Sequence, residues 1–82
     1  MTPFEAAQRA AGVVAARHRG ELSDAESLLA SFPDEAAKTR GFHVLAELCL
    51  ALVRKQTGQS MDELIRELSI QLASVDELPP RH

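Results

Sequence analysis

The spacing of apolar residues along this 82-residue chain predicts α-helices throughout and no β-strand. Apolar positions recur at intervals of three and four residues, which is the period of a helix with one buried face. No segment alternates apolar and polar residues as a half-buried strand would, and no Asn-Gly or Asp-Gly hairpin turn occurs. The pattern therefore predicts an all-α fold, arranged as a compact four-helix array.

Capping signals set the expected helix bounds. Three capping boxes, in which Ser or Thr is followed three residues later by Glu, begin at Thr2, Ser23 and Ser60. Gly20 and Gly58 are expected to end the first and third helices in the left-handed conformation. The predicted helices are 3–19, 24–31, 33–56 and 61–74, so the second is short. We expect one helical domain over 1–78 and a frayed tail over 79–82.

The third predicted helix is apolar over about two-thirds of its circumference, which predicts a largely buried helix. Its polar side is a narrow seam formed by Arg40, His43, Glu47 and Arg54. Cys49 lies on the most apolar side, so we expect a small buried residue with an unreactive thiol. Three short companion helices can hardly cover this surface, and the excess predicts contact with a second copy of the chain.

Two other helices carry apolar faces. The fourth has the clearest one, a wedge of about 100° that contains Met61, Leu64, Ile65, Leu68, Leu72 and Val75. Ile70 points to the opposite side, as an ordinary exposed residue or as a contact with another chain. The first helix has a face of mostly small side chains, which packs on the third helix or contacts a partner: Phe4, Ala7, Ala11, Val14 and Ala15, extended by Ala6, Ala10 and Val13.

These faces together predict a homodimer. Burial of four Leu-sized side chains in such a contact contributes about 6–12 kcal/mol before the cost of association. The residues that we expect at the interface are Phe42, Leu50, Val53, Ile70 and Val13. We therefore expect a small accessory or regulatory protein that acts by association.

Charge leaves one alternative open. The net charge of −3 provides no overall cationic field for a nucleic-acid backbone. The first helix nevertheless carries a basic patch of Arg9, Arg17 and Arg19, which suits a small DNA-binding transcriptional regulator. The third and fourth helices could imitate a helix-turn-helix, but the fourth presents mainly acidic side chains that phosphates would repel. Nucleic-acid binding is therefore the second hypothesis.

The sequence offers little chemistry for catalysis. No two of its candidate soft or imidazole ligands have a metal-binding spacing; these are His18, His43, Cys49 and His82. His43 and Glu47 could chelate a metal or act as an acid–base pair, although an exposed side-chain pair is the simpler interpretation. Motifs for a serine nucleophile or a phosphate loop do not occur. We predict a protein that is not an enzyme and uses no cofactor or metal.

The remaining signals concern the compartment. One cysteine excludes an intrachain disulfide, and the first residues do not resemble a signal peptide. The longest nearly uncharged stretch, 41–53, is too short and too polar to span a bilayer. We therefore expect a cytoplasmic protein without membrane contact. Seven Arg against two Lys, together with abundant Ala, favour a bacterial origin.

Overall fold

A computed structural model describes residues 1–77 of the chain. Over these residues it contains four α-helices and no strand: α1 (Pro3–His18), α2 (Leu22–Ala30), α3 (Glu35–Thr57) and α4 (Met61–Glu77). This confirms the all-α class and the short second helix. The expected fraying of 79–82 lies outside the described residues. Within 1–77, no helix is both long enough and apolar enough to cross a membrane.

Residue contacts divide the chain into two compact units, Met1–Cys49 and Leu50–His82. The first unit contains α1, α2 and the larger part of α3, and the second contains the end of α3 followed by α4. The single domain over 1–78 stays a prediction.

Two of the three predicted N-cap residues cap their helices, and the capping box at Ser60 is complete. The Thr2 hydroxyl accepts the Glu5 N–H at 3.1 Å. At α4 the exchange is reciprocal, because Ser60 accepts the Glu63 N–H at 3.1 Å while the Glu63 carboxylate accepts the Ser60 N–H at 3.0 Å. The glycines that follow α1 and α3 have φ of 79° and 74°, which are left-handed values that side chains disfavour. These helix ends are therefore determined by local sequence.

The predicted starts of α2 and α3 are wrong by two residues. Helix α2 begins at Leu22, and its N-cap Glu21 makes no side-chain capping bond, so Ser23 lies within the first turn. The Glu21 carbonyl already accepts the Ala25 N–H at 3.1 Å, which starts the helical ladder before the serine. Helix α3 begins at Glu35 because Asp34 caps it by accepting a backbone N–H at 2.7 Å.

The core of the first unit consists of small side chains from α1 packed against larger ones from α2, α3 and the connection between them. Its two clusters are Ala6, Ala10 and Phe32, and Val13, Ala16 and Ala25. Phe42 of α3 packs against both. Gly41 lets the α3 backbone approach α1, because a Cβ at this position would lie 2.5 Å from the Ala6 carbonyl oxygen.

The apolar face predicted for α1 is centred on the wrong residues. The buried positions are Ala6, Ala7, Ala10, Val13 and Ala16. Phe4 and Val14 lie at the surface, and the Phe4 side chain is 69% exposed. The close approach of Gly41 selects the face with the smallest side chains, and the larger Phe4 is left at the edge.

The prediction that α3 is largely buried is also wrong. Gly41 is its only buried residue among those described, and Phe42 and Leu45 are half-buried. Cys49 is exposed, which contradicts the expected buried thiol. The physical reason is that α1 and α2 pack chiefly on each other, and α3 adds one face of its first half to their core.

The second unit has little core of its own. Over 50–75, Leu64 is the one buried apolar residue, with 5% exposure. The other apolar side chains of α4 remain largely at the surface, although their helical spacing is that of a buried face.

Candidate association surfaces

One face of α4 in the second unit is apolar and exposed, and we call it the α4 face. It consists of four exposed side chains, with exposures of 44% for Ile65, 39% for Leu68, 66% for Leu72 and 61% for Val75. Their spacing of three, four and three residues places them in one stripe along the helix. Scattered exposed apolar residues are ordinary, whereas a stripe of them along one helix face is a candidate interaction surface.

A groove of about 590 Å³ lies beside this face, between the end of α3 and α4. Its lining is mixed: Val53, Thr57, Gln59, Leu64, Glu67, Leu68 and Gln71. The Gln59 amide donates to the Glu67 carboxylate at 2.7 Å, and Arg54 donates to the Gln59 carbonyl at 3.4 Å. These bonds join the connection after α3 to both helices, so the α4 face has a polar margin on this side.

A second apolar surface lies in the first unit, between α1 and α3. This α1–α3 groove has a volume of about 250 Å³ and is lined by Phe4, Ala7, Gln8, Ala11, Leu45 and Leu48. Gln8 is its one polar lining residue. Sequence reasoning missed this groove, because it placed these residues of α1 and α3 in apolar faces without showing that they leave a groove between them.

The structure does not bring the five predicted interface residues together. Val13 is 3% exposed inside the first core, and Phe42 packs there against Phe32 with ring centroids 6.3 Å apart. Leu50 is half-buried, whereas Val53 is partly exposed and lines the groove of the second unit. Ile70 is 61% exposed, on the side of α4 opposite its apolar face.

The predicted basic patch is partly engaged within the first unit. Arg9 donates to the Ser31 carbonyl at 2.6 Å and to its hydroxyl at 3.1 Å. Its guanidinium carbon also lies 5.8 Å from the centroid of the Phe32 ring, in a cation–π contact. Arg9 therefore holds the end of α2 and the following Phe32 against α1.

Arg19 forms an ion pair with Glu21 in the connection between α1 and α2. The hydrogen bond from Arg19, assisted by its charge, holds the pKa of Glu21 below its ordinary value. Together with Arg9, this engages two of the three arginines of the predicted patch in contacts of the fold.

The His43 and Glu47 side chains contact each other at the surface of α3, and both are mostly exposed. This matches the geometry of a side-chain pair one helical turn apart. Among the residues that the structure describes, no group of three or more His, Cys, Asp or Glu side chains could hold a metal ion.

Comparisons of the chain with protein families, curated proteins and solved structures find no match. The assignment of a function therefore depends on the surfaces described above.

Proposed function

We propose that this protein is a small non-enzymatic association module that forms a homodimer and acts as an accessory or regulatory protein. The observation that carries the proposal is the α4 face: four apolar side chains in one stripe, left exposed in a unit with a single buried apolar residue over 50–75. A helix with this pattern is stabilised chiefly by burial of its apolar face.

The apolar area suits a second copy as the partner. The exposed fractions of the α4 face add up to roughly two fully exposed side chains, which corresponds to about 3–6 kcal/mol of burial per copy. A twofold dimer buries the surface of both copies, so the gain is about 6–12 kcal/mol. Association costs about 4–15 kcal/mol, so covering the α4 face is enough to bring a small dimer within reach.

The chain offers a matched pair of variants to test this. Leu72 and Ile70 are two residues apart on α4 and similarly exposed, at 66% and 61%, but they lie on opposite faces. Leu72→Glu places a carboxylate in the proposed contact, whereas Ile70→Glu leaves that contact intact. We expect Leu72→Glu to weaken dimerisation by at least about 100-fold, which is about 2.7 kcal/mol, because an unpaired charge is buried.

Sedimentation equilibrium of both variants and the wild type measures this, and circular dichroism establishes that all three are helical. Dimeric wild type and Ile70→Glu beside monomeric Leu72→Glu would support the proposal. If the two variants have the same dimer affinity, or if the wild type is a monomer, the α4 face is not a homodimer contact.

A further inference from the structure

The α1–α3 groove has the form of a site for an amphipathic helix. Ala7 and Ala11 supply small side chains one turn apart, and Phe4, Leu45 and Leu48 supply large ones around them. Grooves of this kind bind a helix through apolar anchors spaced three and four residues apart. The α4 face presents this spacing, from Ile65 to Val75.

The amount of exposed apolar surface also favours contact between the α4 face and the α1–α3 groove. Contact of one α4 face with another would bury four side chains per copy and leave the groove uncovered. Phe4 is 69% exposed and Leu48 is 49% exposed at the groove. Insertion of α4 into the groove would also cover Phe4 and Leu48. Their exposed fractions together exceed one fully exposed large side chain, so each copy would bury that much more apolar surface.

Charge points in the same direction. The first turns of α4 carry Asp62, Glu63 and Glu67 against the single Arg66. A parallel pair of α4 helices would bring these acidic side chains near each other, which is unfavourable. The lining of the α1–α3 groove contains no charged residue, so an α4 helix docked there avoids this repulsion.

We propose that, in the homodimer, the α4 face of each copy binds in the α1–α3 groove of the other copy. This rests on the proposed homodimer and names the surface on which α4 docks. The exchange is reciprocal, so a twofold axis relates the two contacts and the assembly closes at two chains.

Crosslinking between different chains tests the placement. Cys49, next to the groove residue Leu48, is the single cysteine of the chain and is exposed. The wild type is mixed with an isotope-labelled chain that carries Cys49→Ser and Gln71→Cys, where Gln71 flanks the α4 face. A control chain carries Cys49→Ser and Arg66→Cys instead, on the far side of α4.

After a short bismaleimide reaction, mass spectrometry counts the peptides that link an unlabelled chain to a labelled one and, separately, those that link two labelled chains. We expect at least about tenfold more such links with Gln71→Cys than with Arg66→Cys. Equal yields, or links predominantly between two Gln71→Cys chains, would overturn the exchange. The second result would instead place α4 against α4.

A groove variant provides an independent measurement. Leu48→Glu puts a charge at the groove, and Ala46→Glu puts one on a different side of α3. We expect Leu48→Glu to weaken dimerisation about 100-fold and Ala46→Glu less than about threefold, in sedimentation of chains that remain helical. If Leu48→Glu dimerises like the wild type while Leu72→Glu does not, the homodimer stands and the groove is excluded. A monomeric wild type would refute the homodimer itself.

Discussion

Replacement of Gly41 by alanine should destabilise the protein, although alanine is the better helix former. In an exposed helix, Gly→Ala stabilises by about 1 kcal/mol. At Gly41 the added Cβ would lie 2.5 Å from the carbonyl oxygen and 2.8 Å from the carbonyl carbon of Ala6. Both atoms belong to the backbone of α1, so the helices must separate by roughly 1 Å, which weakens the packing of Phe42. Overpacking of this kind costs about 1–3 kcal/mol, and after subtraction of the helix-propensity gain of about 1 kcal/mol we expect a net loss of up to about 2 kcal/mol.

Gly12 provides the matched control, because it is also a helical glycine near a neighbouring helix. A Cβ there would meet only the Leu28 Cδ1 atom, at 3.3 Å, which is the far end of a flexible side chain. Gly12→Ala should therefore stabilise by about 0.5–1 kcal/mol. Urea unfolding followed by circular dichroism, at one protein concentration, measures both. An increase in stability for both variants would refute the close contact between α1 and α3.

Three further predictions concern single side chains. The hydrogen bond from the Ser60 N–H holds the pKa of Glu63 below its ordinary value of 4.5. The carboxylate therefore stabilises the start of α4 at pH values above 4.5, and this stabilisation is lost as the pH falls through the lowered pKa. Glu63→Gln keeps an acceptor at every pH, and its helicity in a circular dichroism titration should fall less than that of the wild type; identical curves would contradict this. Arg9→Met removes the hydrogen bond to the Ser31 carbonyl and the cation–π contact with Phe32. We expect the free energy of unfolding in urea to fall by about 1–2 kcal/mol. A loss below about 0.5 kcal/mol would show that these contacts contribute little. In the Leu72→Glu variant, the exposed Cys49 should react with a disulfide reagent about as fast as in the unfolded chain, whereas strong protection would restore the original expectation of burial.

Helix caps and helix ends that depend on a few neighbouring residues are the features that the sequence predicted best. The caps at Thr2 and Ser60 need only residues within one turn, and each hydroxyl accepts its backbone N–H at 3.1 Å. Gly20 and Gly58 follow their helices with a left-handed φ, which glycine adopts readily because it has no Cβ. The Ser23 box failed because the helical ladder starts two residues earlier, at a residue without a capping preference.

The positions of the surfaces could not be predicted in the same way. An apolar residue has the same sequence pattern whether its neighbour is its own core or another molecule. The sequence pattern placed Val13 and Phe42 at an interface with another chain. In the structure, Val13 is buried with Ala16 and Ala25, and Phe42 packs against this cluster. The α1–α3 groove depends on the approach at Gly41, which becomes visible only when both backbones are placed.

The solution mass of the unmodified chain, measured across a range of concentrations, decides whether two copies associate. One chain has a mass of 8.9 kDa. If the α4 face holds two copies together, light scattering will give about twice that mass at micromolar concentration, and the value will fall towards one chain on dilution. A mass of one chain at every concentration would show that the α4 face does not hold two copies together.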